Sequence, residues 1–236
     1  MERSLYECLL IYFGLGYYLL DLHIKYLKWD RQVIHKVMIF SGWLGVNQIV
    51  TTISSRIDVL LLNRIAGAFS AGIYGTAMLM VRIFVIATSS MLSVFSPRII
   101  QLQEKTQRRQ FLHKICLVIL AGWLGLVIVG LLAKPLITII FGVKYLSALT
   151  PFYLLLIAMA GLMATVPVIL PIIYILKKPW IIANLSIIQL VIIILGNLIL
   201  IPKYNYLAPP ILLIISQFFI VVVGSYYTIQ WLKSAH

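Results

Sequence analysis

Long stretches of uninterrupted apolar residues constrain this chain more than any motif. Seven such runs cover about 4–22, 36–66, 72–97, 112–133, 151–176, 180–201 and 207–231. Each is long enough for a membrane-crossing helix, which needs roughly 20 apolar residues. They are too long and too continuously apolar for barrel strands, which alternate. Short polar or Pro/Gly-marked dividers separate them, so the expectation is an all-α, polytopic helical bundle of about seven transmembrane helices. Composition excludes the competing classes. Hydrophobic residues make up 62% of the 236 and charged residues 11%, whereas a soluble domain carries roughly 45–50% and about 25%. Cys8 and Cys116 lie inside apolar runs, where a thiol packs as a small hydrophobe.

Lys plus Arg number 19 against 6 acids, a net charge of +13. Such an excess in a soluble chain would point to nucleic acid; here it is an orientation signal, and no nucleic-acid partner is expected. Alternate dividers are basic: Lys25, Lys28, Arg31 and Lys36; Arg98, Lys105, Arg108, Arg109 and Lys114; Lys177 and Lys178; then Lys233. The opposite side has Arg3, Arg64, Lys134, Lys144 and Lys203. By the positive-inside rule the richer side is cytoplasmic. The N-terminus is then outside and the C-terminus inside, in a plasma membrane. Met1–Arg3 leads straight into the first run with no small-residue cleavage site, unlike a cleaved signal peptide. An outside N-terminus with an uncleaved first helix suggests that an N-terminal part precedes this chain. The expected organisation is 1–35 as one helix plus a cytoplasmic linker, and 36–236 as the main bundle.

Tyr17, Tyr18, Tyr26, Trp29, Trp180, Tyr204, Tyr206 and Trp231 sit near run ends, as interfacial anchors do. Lys134–Thr150 is half apolar and reads as an amphipathic piece on the outer surface. The basic cluster 105–109 suits lipid headgroups. Pro167 and Pro171, four residues apart, should kink or loosen the fifth helix.

The sequence holds no HExxH, CxxC, Walker-type or GxSxG motif. His23, His35, His113 and His236 have no partner at metal-ligand spacing. Six acids leave almost no material for paired-carboxylate catalysis. The expectation is a protein that is not an enzyme and uses no cofactor or metal.

Polar groups within the runs carry the functional argument, because intramembrane charges are costly and face polar interiors. Asn47, Thr51, Ser54 and Asp58 step by four, three and four, so they share a helical face, widened by Gln48, Thr52 and Ser55. Two readings stay open: hydrogen-bonded glue between helices, or the lining of a hydrated cavity. The third run adds Arg82. A tight turn at Gly67–Ala71 makes the second and third runs a hairpin. Counted from its centre near residue 69, Arg56, Arg82 and Asp58 reach one depth to within about 3 Å at ~1.5 Å per residue. The expectation is an Arg–Asp–Arg cluster with net positive charge, suited to an anion such as pyrophosphate, because guanidinium forks match phosphate oxygens. A structural ion pair is the alternative. Glu7 is a further candidate partner.

These residues also resemble a known family. Ser54-Ser55-Arg56-Ile57-Asp58-Val59-Leu60-Leu61-Leu62, then Gly72-Ile73-Tyr74-Gly75-Thr76-Ala77, then Ser96-Pro97-Arg98 resemble the start of the second half of a Wzx-like polysaccharide flippase. Phe141-Gly142-Val143-Lys144-Tyr145-Leu146-Ser147-Ala148 and Leu176-Lys177-Lys178-Pro179 are similar to later landmarks of that branch, in the same order. The segment Leu207-Ala208-Pro209-Pro210 departs from the family's Gly-Ala-Ala-type opening of the last matched helix. The resemblance implies the C-terminal half of an exporter with two pseudo-symmetric bundles around a central cavity. It implies movement of undecaprenyl-pyrophosphate-linked oligosaccharides for O-antigen or capsule across a bacterial inner membrane. Arg56 and Arg82 would then hold the pyrophosphate, with Asp58 orienting one of them, and Asn47, Gln48 and Thr51 would meet the sugar hydroxyls. Implied partners are the lipid-linked oligosaccharide, membrane lipids, and an N-terminal half or polysaccharide assembly proteins. A drug or ion exporter of the same superfamily, with Asp58 as a coupling site, is the alternative. A half needing a partner chain is another, and a membrane enzyme of the same pathway a weaker one.

Overall fold

The computed structural model describes residues 31–102 and 104–233. The first apolar run, Glu7, and the anchors Tyr17, Tyr18, Tyr26 and Trp29 lie outside the described residues. Seven α-helices follow in order: α1 Arg31–Gln101, α2 Lys105–Leu131, α3 Ala133–Ile140, α4 Leu149–Ala164, α5 Val166–Leu170, α6 Pro179–Tyr204 and α7 Ala208–Lys233. Among the described residues there is no strand. Four helical stretches are long and apolar enough to cross a membrane: Arg31–Gln101, Thr106–Leu131, Val143–Ile175 and Pro179–Gln230. These four stretches are counted among the described residues, which leave out the first run, and two of them change direction internally.

The first break is in α1. Its 71 residues would extend ~105 Å if straight, more than three hydrocarbon thicknesses. Gly67 interrupts the helix at φ 83, ψ 170, a conformation that only a residue without Cβ adopts freely. The Tyr74 hydroxyl donates to Asp58 across the break at 3.3 Å. Those two residues are 16 apart in sequence and would be ~24 Å apart on a straight helix. The chain therefore folds back at Gly67 into two antiparallel arms, 31–66 and 68–101. The expected hairpin is present, with its reversal at the first residue of the predicted turn. The second break separates α6 from α7, where Asn205 takes φ 54 and a 3-10 turn, Asn205–Leu207, follows.

The chain divides into two compact units, Met1–Ile39 and Phe40–His236, and the site lies within the second. The described part of the first, 31–39, is helical and exposed. In the second, the Val143–Ile175 stretch is the most enclosed of the four. Phe152, Leu155, Met159, Met163 and Leu170 form its centre, with Leu62, Tyr74, Ala77 and Val81 of α1 packed into the same cluster. In the α6–α7 hairpin, α7 packs against both α6 and α4. Small residues let these backbones approach closely: a Cβ at Gly196 would strike Leu212, and one at Gly224 would strike Val168. Close approach through glycine is how helices gain contact where lipid removes the hydrophobic drive to associate.

The proline pair loosens the helix as expected. The α-helix stops at Thr165, resumes for Val166–Leu170, and opens into a π-turn at Pro171–Ile175. Neither proline can donate an N–H, and each ring crowds the preceding turn. Lys134–Thr150 is helical in two short pieces divided by Gly142 at φ 88. Ala133 and Ile137 face inward while Ile139 and Ile140 face out, the two-sided pattern of a surface-lying segment.

Candidate functional site

The first arm of α1 carries two polar stripes, not one broad face. At about 100° per residue, Asn47, Thr51, Ser54 and Asp58 cluster on one side. Gln48, Thr52, Ser55, Arg56 and Asn63 form a second stripe about 100° wide, centred some 120° away. The first stripe faces the bundle: Asp58 is buried at 2% exposure, and Asn47, Thr51 and Ser54 are half-buried. Every member of the second stripe is exposed.

Across the inner stripe runs a polar seam to α6. Ser186 Oγ donates to Asn47 Oδ1 at 2.6 Å. Asn197 Nδ2 donates to Asp58 Oδ1 at 2.9 Å. Both pairs are separated by 139 residues in the chain. The first arm and α6 therefore run parallel, in register, with rungs eleven residues apart on each helix. Eleven residues make close to three turns, which returns each partner to the same face about 16 Å further along. A third polar link lies within the α6–α7 hairpin, where Gln189 Nε2 donates to Ser216 Oγ at 3.2 Å.

Asp58 is the centre of the seam. Its two carboxylate oxygens accept from Asn197 and from Tyr74 on the second arm, so it joins three segments. Among the described residues no guanidinium pairs with it. The expected Arg–Asp–Arg cluster does not form, for two geometric reasons. Arg56 and Asp58 are two residues apart and so project from nearly opposite sides of one helix. The reversal at Gly67 rather than 69 also leaves Arg56 and Arg82 offset by about 6 Å along the hairpin. Both arginines are exposed. The hydroxyls of Thr51, Thr52, Ser54 and Ser55 donate to carbonyls three or four residues earlier in their own helix. That back-bonding satisfies them locally, so of the inner stripe only Asn47 and Asp58 bond across helices.

Ser186, Gln189, Asn197 and Ser216 escaped the sequence reading, and Tyr74 entered it only within a motif. A signal was there: Ser186 and Asn197 repeat the eleven-residue step of Asn47 and Asp58. Asn197 is fully buried, and its Oδ1 has no hydrogen-bond partner. Gln217 Oε1 is likewise buried without a partner.

Long apolar helices with a buried intramembrane carboxylate and outward-facing arginines define a polytopic membrane protein rather than a soluble enzyme fold. The family model described as "Polysaccharide biosynthesis protein" matches residues 6–150. That is more than half of the chain, and the protein belongs to this family. The matched region holds both arms of α1, with Asp58, Tyr74, Arg56 and Arg82; Ser186 and Asn197 lie beyond it. No curated protein and no solved structure matches the chain.

Proposed function

We propose that this protein is a flippase, or a short form of one, translocating undecaprenyl-pyrophosphate-linked oligosaccharide repeat units for surface polysaccharide synthesis. It does so without enzymatic chemistry, in a bacterial inner membrane. One observation carries the reading: Arg56 and Arg82 stand exposed on a hairpin whose arms are otherwise long and apolar. A guanidinium against lipid tails costs at least ~2.5–3.5 kcal/mol on insertion scales. Arg56, in the exposed stripe with Gln48, Thr52, Ser55 and Asn63, and Arg82, exposed on the second arm, are tolerated where they meet water or an anionic cargo. Pyrophosphate bound by arginine forks fits that face.

The roles sort by stripe. Arg56 and Arg82 hold the lipid-linked pyrophosphate, and Gln48 meets sugar hydroxyls. Asp58 and Asn47 act one step removed, by setting the rotation of the arm that presents the arginines. Seven spans remain the proposed count, with the first run added to two arms of α1, then α2, the Val143–Ile175 stretch, α6 and α7. The parallel rungs support this parity, since the first arm and α6 then cross in one direction. A cytoplasmic C-terminus follows from the basic dividers.

A second reading keeps the fold and adds a partner: the chain is one half of an exporter and works with another chain. The exposed outer stripe favours it, since a second bundle facing that stripe encloses a polar path.

Arg82→Ala and Arg56→Ala, in cells that depend on this protein for surface polysaccharide, test the proposal. We expect a loss of export of more than about tenfold, the effect of one strong phosphate fork, with membrane insertion unchanged. Export that survives both substitutions contradicts it.

A further inference from the structure

We propose that the cargo held by Arg56 and Arg82 has an uncharged sugar head, selected by Thr52, Ser55, Ser89 and Ser93; this rests on the flippase reading and deepens it. Each arginine heads a stripe of neutral polar residues. On the first arm the exposed stripe runs from Arg56 through Ser55 and Thr52 to Gln48. On the second, Arg82, Ser89 and Ser93 step by seven and four, so they share one face to within about 40°. All three are exposed. Both stripes lead away from the reversal at Gly67, toward the ends read as cytoplasmic. They reach ~12 Å beyond Arg56 and ~16 Å beyond Arg82 at about 1.5 Å per residue. Over that length both arms are without charge: residues 37–55 and 83–97 contain no Asp, Glu, His, Lys or Arg.

The hydroxyls add a direction to this neutrality. Thr52 Oγ1 donates to the Gln48 carbonyl at 2.7 Å, and Ser55 Oγ to the Thr52 carbonyl at 2.8 Å. Ser89 Oγ donates to the Ile86 carbonyl at 2.8 Å, and Ser93 Oγ to the Ser89 carbonyl at 3.1 Å. Each proton is engaged within its own helix, so each hydroxyl presents lone pairs outward. Lone pairs accept from the O–H and N–H groups of a sugar and repel the oxygens of a carboxylate, sulfate or further phosphate. Charge balance points the same way. A pyrophosphate esterified at both ends has one negative charge on each phosphate, and the two arginines match them. An acidic sugar brings another anion against acceptor oxygens, with no cation along either stripe. A charge drawn out of water without a partner is costly. Selection is a difference between two affinities, and here a neutral head gains hydrogen bonds while an acidic one meets repulsion.

The test is binding of three probes to the purified full chain in detergent, read by thermophoresis. The probes are undecaprenyl pyrophosphate alone, the same lipid bearing a neutral trisaccharide, and that conjugate with one hexose replaced by its uronic acid. The neutral conjugate should bind tightest, with the acidic one at least about tenfold weaker. Ser89→Ala with Ser93→Ala should weaken the neutral conjugate about two- to tenfold and leave the bare lipid unchanged. Ser89→Lys, which places a cation on the stripe, should close most of the gap between the conjugates, an effect that a merely structural serine would not produce. Thr52→Lys, on the other arm, decides the matter if Ser89→Lys does not purify. Arg82→Ala should weaken all three probes. Equal binding of the two conjugates, with the bare lipid still bound through Arg82, overturns this proposal and leaves the flippase reading standing. A gap that neither lysine narrows, or an unchanged neutral conjugate in the double alanine variant, does the same. Binding of none of the three probes overturns both.

Discussion

Two residues separate Arg56 from Asp58, and that spacing divides their work. One points out of the bundle and the other into it. The inner residue is held by two donors, and their removal should be unequal in cost. Asn197→Leu strips a buried carboxylate of its shorter bond and leaves it partly unsatisfied, a loss of about 2–4 kcal/mol. Ser186→Ala removes a neutral interhelical hydrogen bond, worth on average about 0.6 kcal/mol within membranes. Denaturant titration in mixed micelles checks both numbers; equal effects would mean that the Asp58 rung is no more than ordinary helix glue. At this scale the sequence was legible in part. The four-three-four spacing of Asn47, Thr51, Ser54 and Asp58 marked one helical face, and that face turns toward the bundle. The Arg–Asp–Arg cluster was misread because depth alone was matched, while rotation about the helix axis places Arg56 on the opposite side. Asn197 and Ser186 repeat in sequence the eleven-residue step of Asn47 and Asp58, a signal that gains meaning only once the two helices are seen side by side.

The helices themselves were plain from the apolar runs, since uninterrupted hydrophobic stretches of this length have few other stable states in a bilayer. Where they break was less plain. Gly67, Gly142 and Asn205 take positive φ, and nothing in a window of hydropathy distinguishes them from neighbouring small residues. Gly67 is open around its Cα but sits at φ 83, ψ 170, a region almost confined to glycine, so Gly67→Ala adds no clash and costs backbone strain of roughly 1–3 kcal/mol. Gly196 is the reverse case. Its backbone is ordinary helix, but an added side chain meets Leu212, so Gly196→Val should force α6 and α7 apart. The expected outcome is a larger fall in thermal stability for Gly196→Val than for Gly67→Ala, read by melting in detergent. If Gly67→Ala is the more damaging, the reversal in α1 carries more of the fold than the α6–α7 contact does. The prolines at 167 and 171 were legible as a loosening, and a π-turn is the form it takes.

In the molecule as a whole, the two in-register rungs, about 16 Å apart, set the direction of the first arm against α6 across about half of a ~30 Å hydrocarbon core. They make the outer stripe face away from the bundle. The family match places the chain among polysaccharide biosynthesis proteins, and on the proposed function the outer stripe is where a charged cargo is met. The parallel course of the first arm and α6 was legible from their places as the second and sixth apolar runs of an up-and-down bundle. The separation of the polar residues into an inner seam and an outer stripe was not, because a single helix offers no cue to which of its polar sides finds a partner.

The central claim is that Arg56 and Arg82 border an aqueous path. Cysteine accessibility in intact membranes tests it most directly. In a background with Cys8→Ser and Cys116→Ser, Arg56→Cys and Arg82→Cys should react with a charged, membrane-impermeant thiol reagent, and undecaprenyl pyrophosphate should slow that reaction. Leu79→Cys and Ile83→Cys, exposed apolar positions on the same hairpin, should react only with a lipid-soluble maleimide. If the two arginine positions behave like Leu79 and Ile83, those guanidiniums lie against lipid and the account is wrong.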